Sequence, residues 1–265
     1  MEKVDSSAPF QYSGFPPFNL DFFPIIPISL VIYLGTIGGL WIFMKNRKPI
    51  ETPRLLAAHN FFLCLFSLVC FSGQLYEAIR TYLNYGGFAV YCGTFDDQWD
   101  IQMARWCIAF YLSKYYELID TVFLVIRKKQ LTVLHVFHHA LVIPISWMAV
   151  HSQIYMGWIT SFNNTGVHII MYYYFAIYAL GHRPWWKRYL TSLQILQFII
   201  DISTSLPFII IYSLGWSCRG ELYAWIIANA AGFALLFLFL NFYQSTYTPG
   251  APSSRPTRPP PKKDN

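Results

Sequence analysis

The chain has 265 residues, of which 55% are hydrophobic and only 12% are charged. Soluble domains carry about a quarter charged residues, so too few polar side chains remain here to cover a water-soluble globule. The formal net charge is +6. Because most basic residues cluster between apolar runs, this charge indicates how the chain lies in a membrane and gives no reason to propose a nucleic-acid partner.

Continuous apolar runs, each long enough to cross a bilayer at about 20 residues, predict seven transmembrane helices. Helices are favoured over a barrel because the runs do not alternate with polar residues, and because lipid forces every backbone amide to find an internal partner. The predicted fold class is therefore an all-α polytopic membrane protein. The predicted spans are Phe23–Met44, Leu55–Tyr76, Ile101–Ile126, Leu131–Val150, Met156–Leu180, Tyr189–Leu214 and Leu222–Tyr243.

The chain divides into three predicted regions: a non-cytosolic segment over residues 1–22, a membrane domain over residues 23–247 and a disordered tail over residues 248–265. Most loop lysines and arginines follow the first, third and fifth spans or lie in the tail. The positive-inside rule therefore places the C-terminus in the cytosol and the N-terminus on the lumenal side. Lys262 and Lys263 match a dilysine retrieval signal, which predicts the endoplasmic reticulum membrane.

Two of the five cysteines, Cys92 and Cys218, lie in loops on the predicted non-cytosolic side. That side is oxidising in the reticulum, so a disulfide between them is compatible with the compartment. The residues alone leave open whether the bridge forms. Cys64, Cys70 and Cys107 lie within spans and are interpreted as packing residues.

The third predicted span carries charged residues, although a charge at mid-depth in a bilayer costs roughly 2.5–3.5 kcal/mol on insertion scales. Lys114, Glu117 and Thr121 share one helix face, and the first two can neutralise each other. Asp120 lies in the same stretch. Because ionisable groups inside a membrane are functional candidates by default, this span is predicted to contribute to a polar site.

The fourth span carries His135, His138 and His139, a spacing that brings three imidazoles near one side of a helix. They follow Arg127 closely, which places them in the cytosolic half of the membrane. A single histidine or glutamine in a span is more often part of an interhelical hydrogen bond, but four helices with polar stripes favour one reaction chamber. The fifth and sixth spans add Asn164, His168 and Tyr172, and Thr191, Gln194, Gln197 and Asp201.

The pattern His-x-x-His-His also occurs in membrane di-iron desaturases and hydroxylases. Those enzymes draw on more imidazoles than the seven histidines of this chain, of which His59, His151 and His182 stand apart from the pattern. The other four could ligate one zinc ion by number alone, but no carboxylate or cysteine accompanies them at a familiar spacing, so no metal is predicted. Metal-free imidazole still offers acid–base or nucleophilic catalysis.

Four motifs lie on consecutive spans: Lys114-x-x-Glu117-x-x-Asp120-Thr121, His135-x-x-His138-His139, His168-x-x-Met171-Tyr172-x-Tyr174, and Thr191-x-x-Gln194-x-x-Gln197-Phe198. In order, spacing and placement they resemble the ELO family of fatty acid elongases, except that Phe175 stands where that family usually has tyrosine. The resemblance implies condensation of a long-chain acyl-CoA with malonyl-CoA to 3-oxoacyl-CoA, CO2 and CoA, without a cofactor. It also implies a barrel-like helical bundle around an acyl tunnel, with membrane lipid and other elongation-cycle enzymes as partners.

This resemblance suggests a role for each polar residue. His138 would attack the acyl thioester, while His135 and His139 orient it or move its proton. His168 and Asn164 would hold the thioester or enolate oxygen, and direct condensation with histidine acting only as a base is the alternative. The other predicted substrate-binding residues are Lys114, Glu117, Asp120, Tyr172, Gln194 and Gln197 in the chamber, and Arg127, Lys187 and Arg188 for the CoA phosphates.

Other classes of function fit part of the pattern. A membrane di-iron desaturase or hydroxylase would need iron and oxygen, whereas a non-enzymatic seven-helix receptor or a proton-coupled transporter would share the topology. A receptor has no evident need for three converging imidazoles, and no inverted repeat or pair of broken helices supports a transporter. Acyl chain length and unsaturation depend on packing and cannot be read from the sequence.

Overall fold

The computed structural model describes residues 25–248, except for the side chains of residues 97 and 98. Every regular element in this part of the chain is a helix, which confirms the all-α prediction there. The predicted N-terminal segment, the dilysine pair and the tail beyond residue 248 lie outside the described residues. The helices are α1 (Ile25–Met44), α2 (Pro53–Cys92), α3 (Asp97–Glu117), α4 (Ile119–Ile126), α5 (Val133–His151), α6 (Gly157–Ala179), α7 (Lys187–Ser213) and α8 (Leu222–Tyr247).

Helix α2 has 40 residues and continues well past the predicted second span, which ended at Tyr76. It is kinked at Gly86, where φ is +81°, a backbone conformation that residues with side chains rarely adopt. Apolar side chains indicate where a helix can cross lipid, but backbone hydrogen bonding continues the helix without them. The span prediction therefore located the apolar part of α2 and missed its extension.

The third predicted span is divided into α3 and α4 by a break at Leu118. Around the break the hydrogen bonds close three-residue turns: Leu118 N donates to Tyr115 O at 3.2 Å, and Thr121 N donates to Leu118 O at 3.1 Å. A short turn of this kind tightens the helix and rotates the side chains that follow. Asp120 and Thr121, which come directly after the break, consequently face different neighbours from Lys114.

Five helices of the described region, α1, α2, α5, α7 and α8, are long and apolar enough to cross a membrane. Helices α3 and α6 have 21 and 23 residues, enough for a span by length. They fall below the hydropathy of the other five because they carry charged and amide side chains, among them Lys114, Glu117 and Asn164. The chain is thus a multi-pass membrane protein, and the count of seven spans stays a prediction.

Six helices pack side by side in the closed order α2, α6, α7, α8, α5 and α3, with α3 returning to α2. Helix α1 lies outside this ring, against α4 and α5. A cavity of about 220 Å³ lies within the ring and is lined by residues of α3, α5, α6, α7 and α8. Chain-distant helices therefore meet around one interior space.

One end of the ring, which we call the disulfide end, contains the connections over residues 93–96, 152–156 and 214–221. Cys92 and Cys218 form a disulfide there. Arg219 N donates to Cys92 O at 3.0 Å, Tyr155 N donates to Arg219 O at 3.3 Å, and the Arg219 guanidinium is 3.1 Å from Asp100 Oδ2. Covalent and polar contacts thus tie all three connections together.

The opposite end, which we call the histidine end, contains the connections over residues 45–52, 127–132 and 180–186. It carries the basic segments of the chain, including Arg127 and Lys128. Ile50 N donates to Ile126 O at 2.9 Å, and Lys128 Nζ donates to Lys45 O at 3.1 Å. The His135-x-x-His138-His139 motif begins just inside this end, in the first turns of α5.

The substitution Cys92→Ser tests the disulfide. It removes a cross-link between residues 126 positions apart and should lower the free energy of unfolding by about 2–4 kcal/mol, because the unfolded chain gains freedom. Thermal unfolding of the detergent-solubilised protein measures the change, with reductant-treated wild type as the matched comparison. Free thiols at both positions in non-reducing peptide mapping would contradict the bridge.

Candidate active site

A buried charge pair connects α3 to α6. Lys114 Nζ donates to Glu117 Oε1 at 2.8 Å and to Asn164 Oδ1 at 3.0 Å. Lys114 and Glu117 are each 2% exposed. Ser113 Oγ also donates to Glu117 Oε1, at 3.2 Å. Each charge would be costly alone in an apolar interior, so the two stabilise each other and hold Asn164 toward the cavity.

Asp120 forms a second polar cluster, beyond the break at Leu118. His59 Nε2 lies 2.7 Å from Asp120 Oδ1, and Tyr172 OH donates to Asp120 Oδ2 at 2.8 Å. The Tyr172 ring meets the His168 ring edge-on, with centroids 5.2 Å apart. On its other side His168 Nδ1 is 3.6 Å from Glu117 Oε1, within ion-pair range but too far for a hydrogen bond.

The three histidines of α5 pack against one another. The rings of His135 and His139 have centroids 4.4 Å apart, and those of His138 and His139 are 5.3 Å apart. Thr121 Oγ1 lies 2.9 Å from His135 Nε2 and so fixes that ring. His139 Nδ1 is buried and has no hydrogen-bond partner among the described residues. The structure thus gathers three imidazoles into one cluster on α5.

The cavity separates the predicted residues into two groups. Of the four histidines, His138 alone lines the cavity wall, together with Lys114, Asn164 and Gln197. His135, His139 and His168 do not line it. His139 packs against His138 and His135, and His168 lies beside Glu117. The imidazole that a substrate in this cavity would touch is therefore that of His138.

The polar stripe of α7 is split in the same way. Gln197 Nε2 donates to Asp201 Oδ2 at 3.3 Å, Asn163 Nδ2 donates to Asp201 Oδ1 at 2.7 Å, and both Gln197 and Asp201 line the cavity. Gln194 does not line it and donates to Met171 Sδ at 3.3 Å. The sequence places Asp201 in this stripe but indicates no role for it. Spacing alone does not show which side chains reach an interior space.

From Lys114 the cavity extends to the disulfide end, where Asp100 and Arg219 line it. The fourteen positions between Asp100 and Lys114 correspond to about 21 Å along α3. The lining between these ends is mainly apolar and includes Met103, Phe110, Leu141, Val142, Ile145 and Leu235. The cavity therefore joins one polar, histidine-bearing end to a long apolar interior.

Three basic residues predicted to hold phosphate lie at the histidine end, outside the cavity. Arg127 Nε is 3.4 Å from Glu51 Oε2, and Arg188 Nε donates to Tyr243 OH at 2.7 Å. Lys187 begins α7 and is exposed. These positions are on the same side of the bundle as the start of α5. Their role in binding phosphate stays a prediction.

His59 is the residue that sequence reasoning missed. Its position on α2 belongs to no motif, and the sequence placed it apart from the other histidines. The fold brings it 2.7 Å from Asp120, 61 positions away. Only the packing of α2 on α3 reveals this contact, and no local spacing in the sequence could have indicated it.

The predicted absence of a metal stays a prediction. Among the side chains described between residues 25 and 248, which leave out those of residues 97 and 98, no three His, Cys, Asp or Glu side chains are grouped so that they could hold one ion. His135 is one of the four histidines that could ligate zinc by number, and its Nε2 already lies 2.9 Å from Thr121 Oγ1.

The substitution Glu117→Gln tests the buried charge pair. It leaves the Lys114 ammonium without its counter-charge and should reduce the free energy of unfolding by about 3–5 kcal/mol. Thermal unfolding in detergent measures the effect. Glu51→Gln removes the partner of Arg127 at the surface and serves as the control, since exposed pairs contribute little. Equal shifts for the two variants would contradict a compensated buried charge.

Comparison with known proteins places the chain in a family. The family model described as "ELO: GNS1/SUR4 family" matches residues 18–255. "Fatty acid elongase sre1" of Dictyostelium discoideum is 34% identical over 236 residues, which cover 89% of this chain and 87% of the relative. "Very long chain fatty acid elongase 7" of Rattus norvegicus is 34% identical over 238 residues, covering 85% and 80%. The chain belongs to the ELO (GNS1/SUR4) family.

Proposed function

We propose that this protein is a fatty acid elongase that condenses a long-chain acyl-CoA with malonyl-CoA to 3-oxoacyl-CoA, CO2 and CoA. The names of the relatives support the class of function. The observation that carries the proposal is the position of His138, at the polar end of a long apolar cavity beside Lys114 and Asn164. An acyl tail suits the apolar part, and its thioester would then lie at His138.

The apolar cavity supports the choice of an acyl substrate. Its lining includes aliphatic and aromatic side chains along about 21 Å of α3. Burying a hydrocarbon chain there is favourable, at roughly 0.8 kcal/mol per methylene group. Because the thioester must lie at His138, the methyl end of the chain points along the cavity toward the disulfide end, where Asp100 and Arg219 form an ion pair.

The reaction begins at the thioester carbonyl. A His138 ring nitrogen attacks this carbon, the carbon–sulfur bond breaks, and an acyl-imidazole and CoA thiolate form. The His138 N–H proton passes to a neighbouring base, and the His139 imidazole, in ring contact with His138 at a centroid distance of 5.3 Å, is the candidate. On the other side of His139, His135 is held by its contact with Thr121, and this fixes the ring against which His139 packs.

The second half of the reaction consumes malonyl-CoA. Loss of CO2 leaves an enolate of acetyl-CoA, whose carbon attacks the acyl-imidazole and displaces His138. The product is 3-oxoacyl-CoA, His138 regains its proton, and the net reaction takes up one proton to give CoA as the thiol. Asn164 and Lys114, joined at 3.0 Å, are placed to stabilise the oxygen that gains charge in each step. No redox change occurs, so the chemistry requires no redox cofactor.

The membrane arrangement follows from the same proposal. Helices α3 and α6 cross the bilayer with their polar side chains toward the ring interior, which completes seven spans. The basic histidine end faces the cytosol, where Arg127, Lys187 and Arg188 attract the CoA phosphates. For this activity the fitting membrane is that of the endoplasmic reticulum, where the other elongation-cycle enzymes would reduce and dehydrate the product.

The variant His138→Ala tests the proposed nucleophile. Incorporation of labelled malonyl-CoA into 3-oxoacyl-CoA, measured across a panel of acyl-CoA substrates, should fall by at least about 100-fold. His151→Ala is the matched control because it removes an imidazole from the same helix, α5, at the disulfide end. Full activity of His138→Ala, or equal losses in both variants, would refute the assignment.

A trapping experiment separates the two routes of condensation. With malonyl-CoA withheld, the acyl-imidazole route should leave a labelled acyl group on a peptide containing His138, detected by mass spectrometry after rapid quenching. The direct route forms no such adduct, because the acyl group leaves CoA only when the enolate attacks. Turnover with malonyl-CoA present but no adduct in its absence would favour the direct route.

A further inference from the structure

His59 has a fixed position on α2, close to the histidine end. The residue is 6% exposed, and its ring stacks on Tyr116 at a centroid distance of 5.2 Å and an interplanar angle of 26°. Phe123 packs on it as well, also at 5.2 Å. The two aromatic rings hold the imidazole so that Nε2 points at Asp120, 2.7 Å away. A buried polar ring held this closely has one orientation and one partner.

Asp120 passes this contact on to α6. One carboxylate oxygen is bonded to His59 Nε2, and the other accepts a hydrogen bond from the hydroxyl of Tyr172 at 2.8 Å. Tyr172 is 1% exposed, so its hydroxyl depends on Asp120 for a partner. Its ring lies perpendicular to the ring of His168. The rotamer of Tyr172 therefore sets the surface against which His168 rests.

None of these three residues lines the cavity, whereas His138, Lys114 and Asn164 do. His168 connects the two groups, because its other side is within 3.6 Å of Glu117, which pairs with Lys114. The contacts thus run from His59 through Asp120 and Tyr172 to His168, and from there to the charge pair at the cavity. Any effect of His59 on the reaction is transmitted by these neighbours.

We propose that His59 is a positioning residue for the condensation: by donating from Nε2 to Asp120, it holds Tyr172 and through it His168 in the orientation that the reaction uses. Without this donor, Asp120 keeps Tyr172 as its single partner, and the positions of the carboxylate and the hydroxyl are less closely fixed. A misplacement of about 1 Å at a reacting group can lower a rate about 100-fold. The inference rests on the proposed condensing activity and adds a residue outside the motifs to its machinery.

The matched variants His59→Gln and His59→Asn test the inference. The amide nitrogen of glutamine takes nearly the place of Nε2 and still reaches Asp120, whereas that of asparagine is one methylene too short. Rates of condensation are measured with monodisperse protein over a range of acyl-CoA concentrations. His59→Asn should lower kcat about 10- to 100-fold with KM for acyl-CoA changed by less than about twofold, and His59→Gln should retain most of the kcat.

A double-mutant comparison shows whether the effect travels through Tyr172. Tyr172→Phe removes only the hydroxyl that binds Asp120, so the path to His168 is already broken in this variant. Adding His59→Asn to Tyr172→Phe should then change kcat by less than about twofold, because the two changes break one path. Multiplied losses in the double variant would mean that His59 acts elsewhere.

The remaining outcomes also decide the matter. Equal kcat in His59→Gln and His59→Asn, a change in KM alone, or wild-type kcat in His59→Asn would each overturn the positioning role. If His59→Asn does not fold, Tyr172→Phe takes its place because it breaks the same path at Asp120. Lowered kcat in Tyr172→Phe with kcat retained in His59→Gln would support the role, and wild-type kcat in Tyr172→Phe or lost kcat in His59→Gln would overturn it. A wild-type protein without condensing activity would instead refute the proposed function, independently of His59.

Discussion

The structure depends on compensating charge inside an apolar bundle. Lys114 and Glu117 are both almost fully buried and lie 2.8 Å apart, and neither would be tolerated alone at membrane depth. Lys114 also donates to the amide oxygen of Asn164, and this bond holds α3 against α6 at this level. Because these polar side chains avoid lipid, they turn toward the interior of the ring. The location of the cavity's polar end follows from that requirement.

The break at Leu118 lets one short segment serve two sides of the bundle. Before it, Lys114 and Glu117 face α6; after it, Asp120 contacts α2 and α6, and Thr121 contacts α1 and α5 through Tyr33 and His135. An uninterrupted helix would repeat its neighbours every three to four residues. The turn changes that repeat, so consecutive motif residues support different helices around the histidines.

The arrangement separates the histidine that lines the cavity from the three that do not. His138 lines the cavity, whereas His135, His139 and His168 lie behind its wall. A reacting group needs its orientation fixed by neighbours whose own positions are locked by packing and hydrogen bonds. Helices provide this better than loops, and here every histidine of the motifs is on a helix. The cavity adds a mainly apolar interior to this polar end.

The sequence by itself determined the properties that depend on local spacing. These are the helical fold, the apolar runs, the polar stripes of the third to sixth spans and the histidine triplet of α5. Period and composition carry this information because each helix repeats its faces regularly. The tertiary structure alone decided that His59 joins Asp120, that Cys92 pairs with Cys218 rather than remaining free, and that His138 reaches the cavity while His135 and His139 stay behind it. Those outcomes depend on how distant helices approach and rotate, and a one-dimensional pattern contains no distance between residues 61 or 126 positions apart.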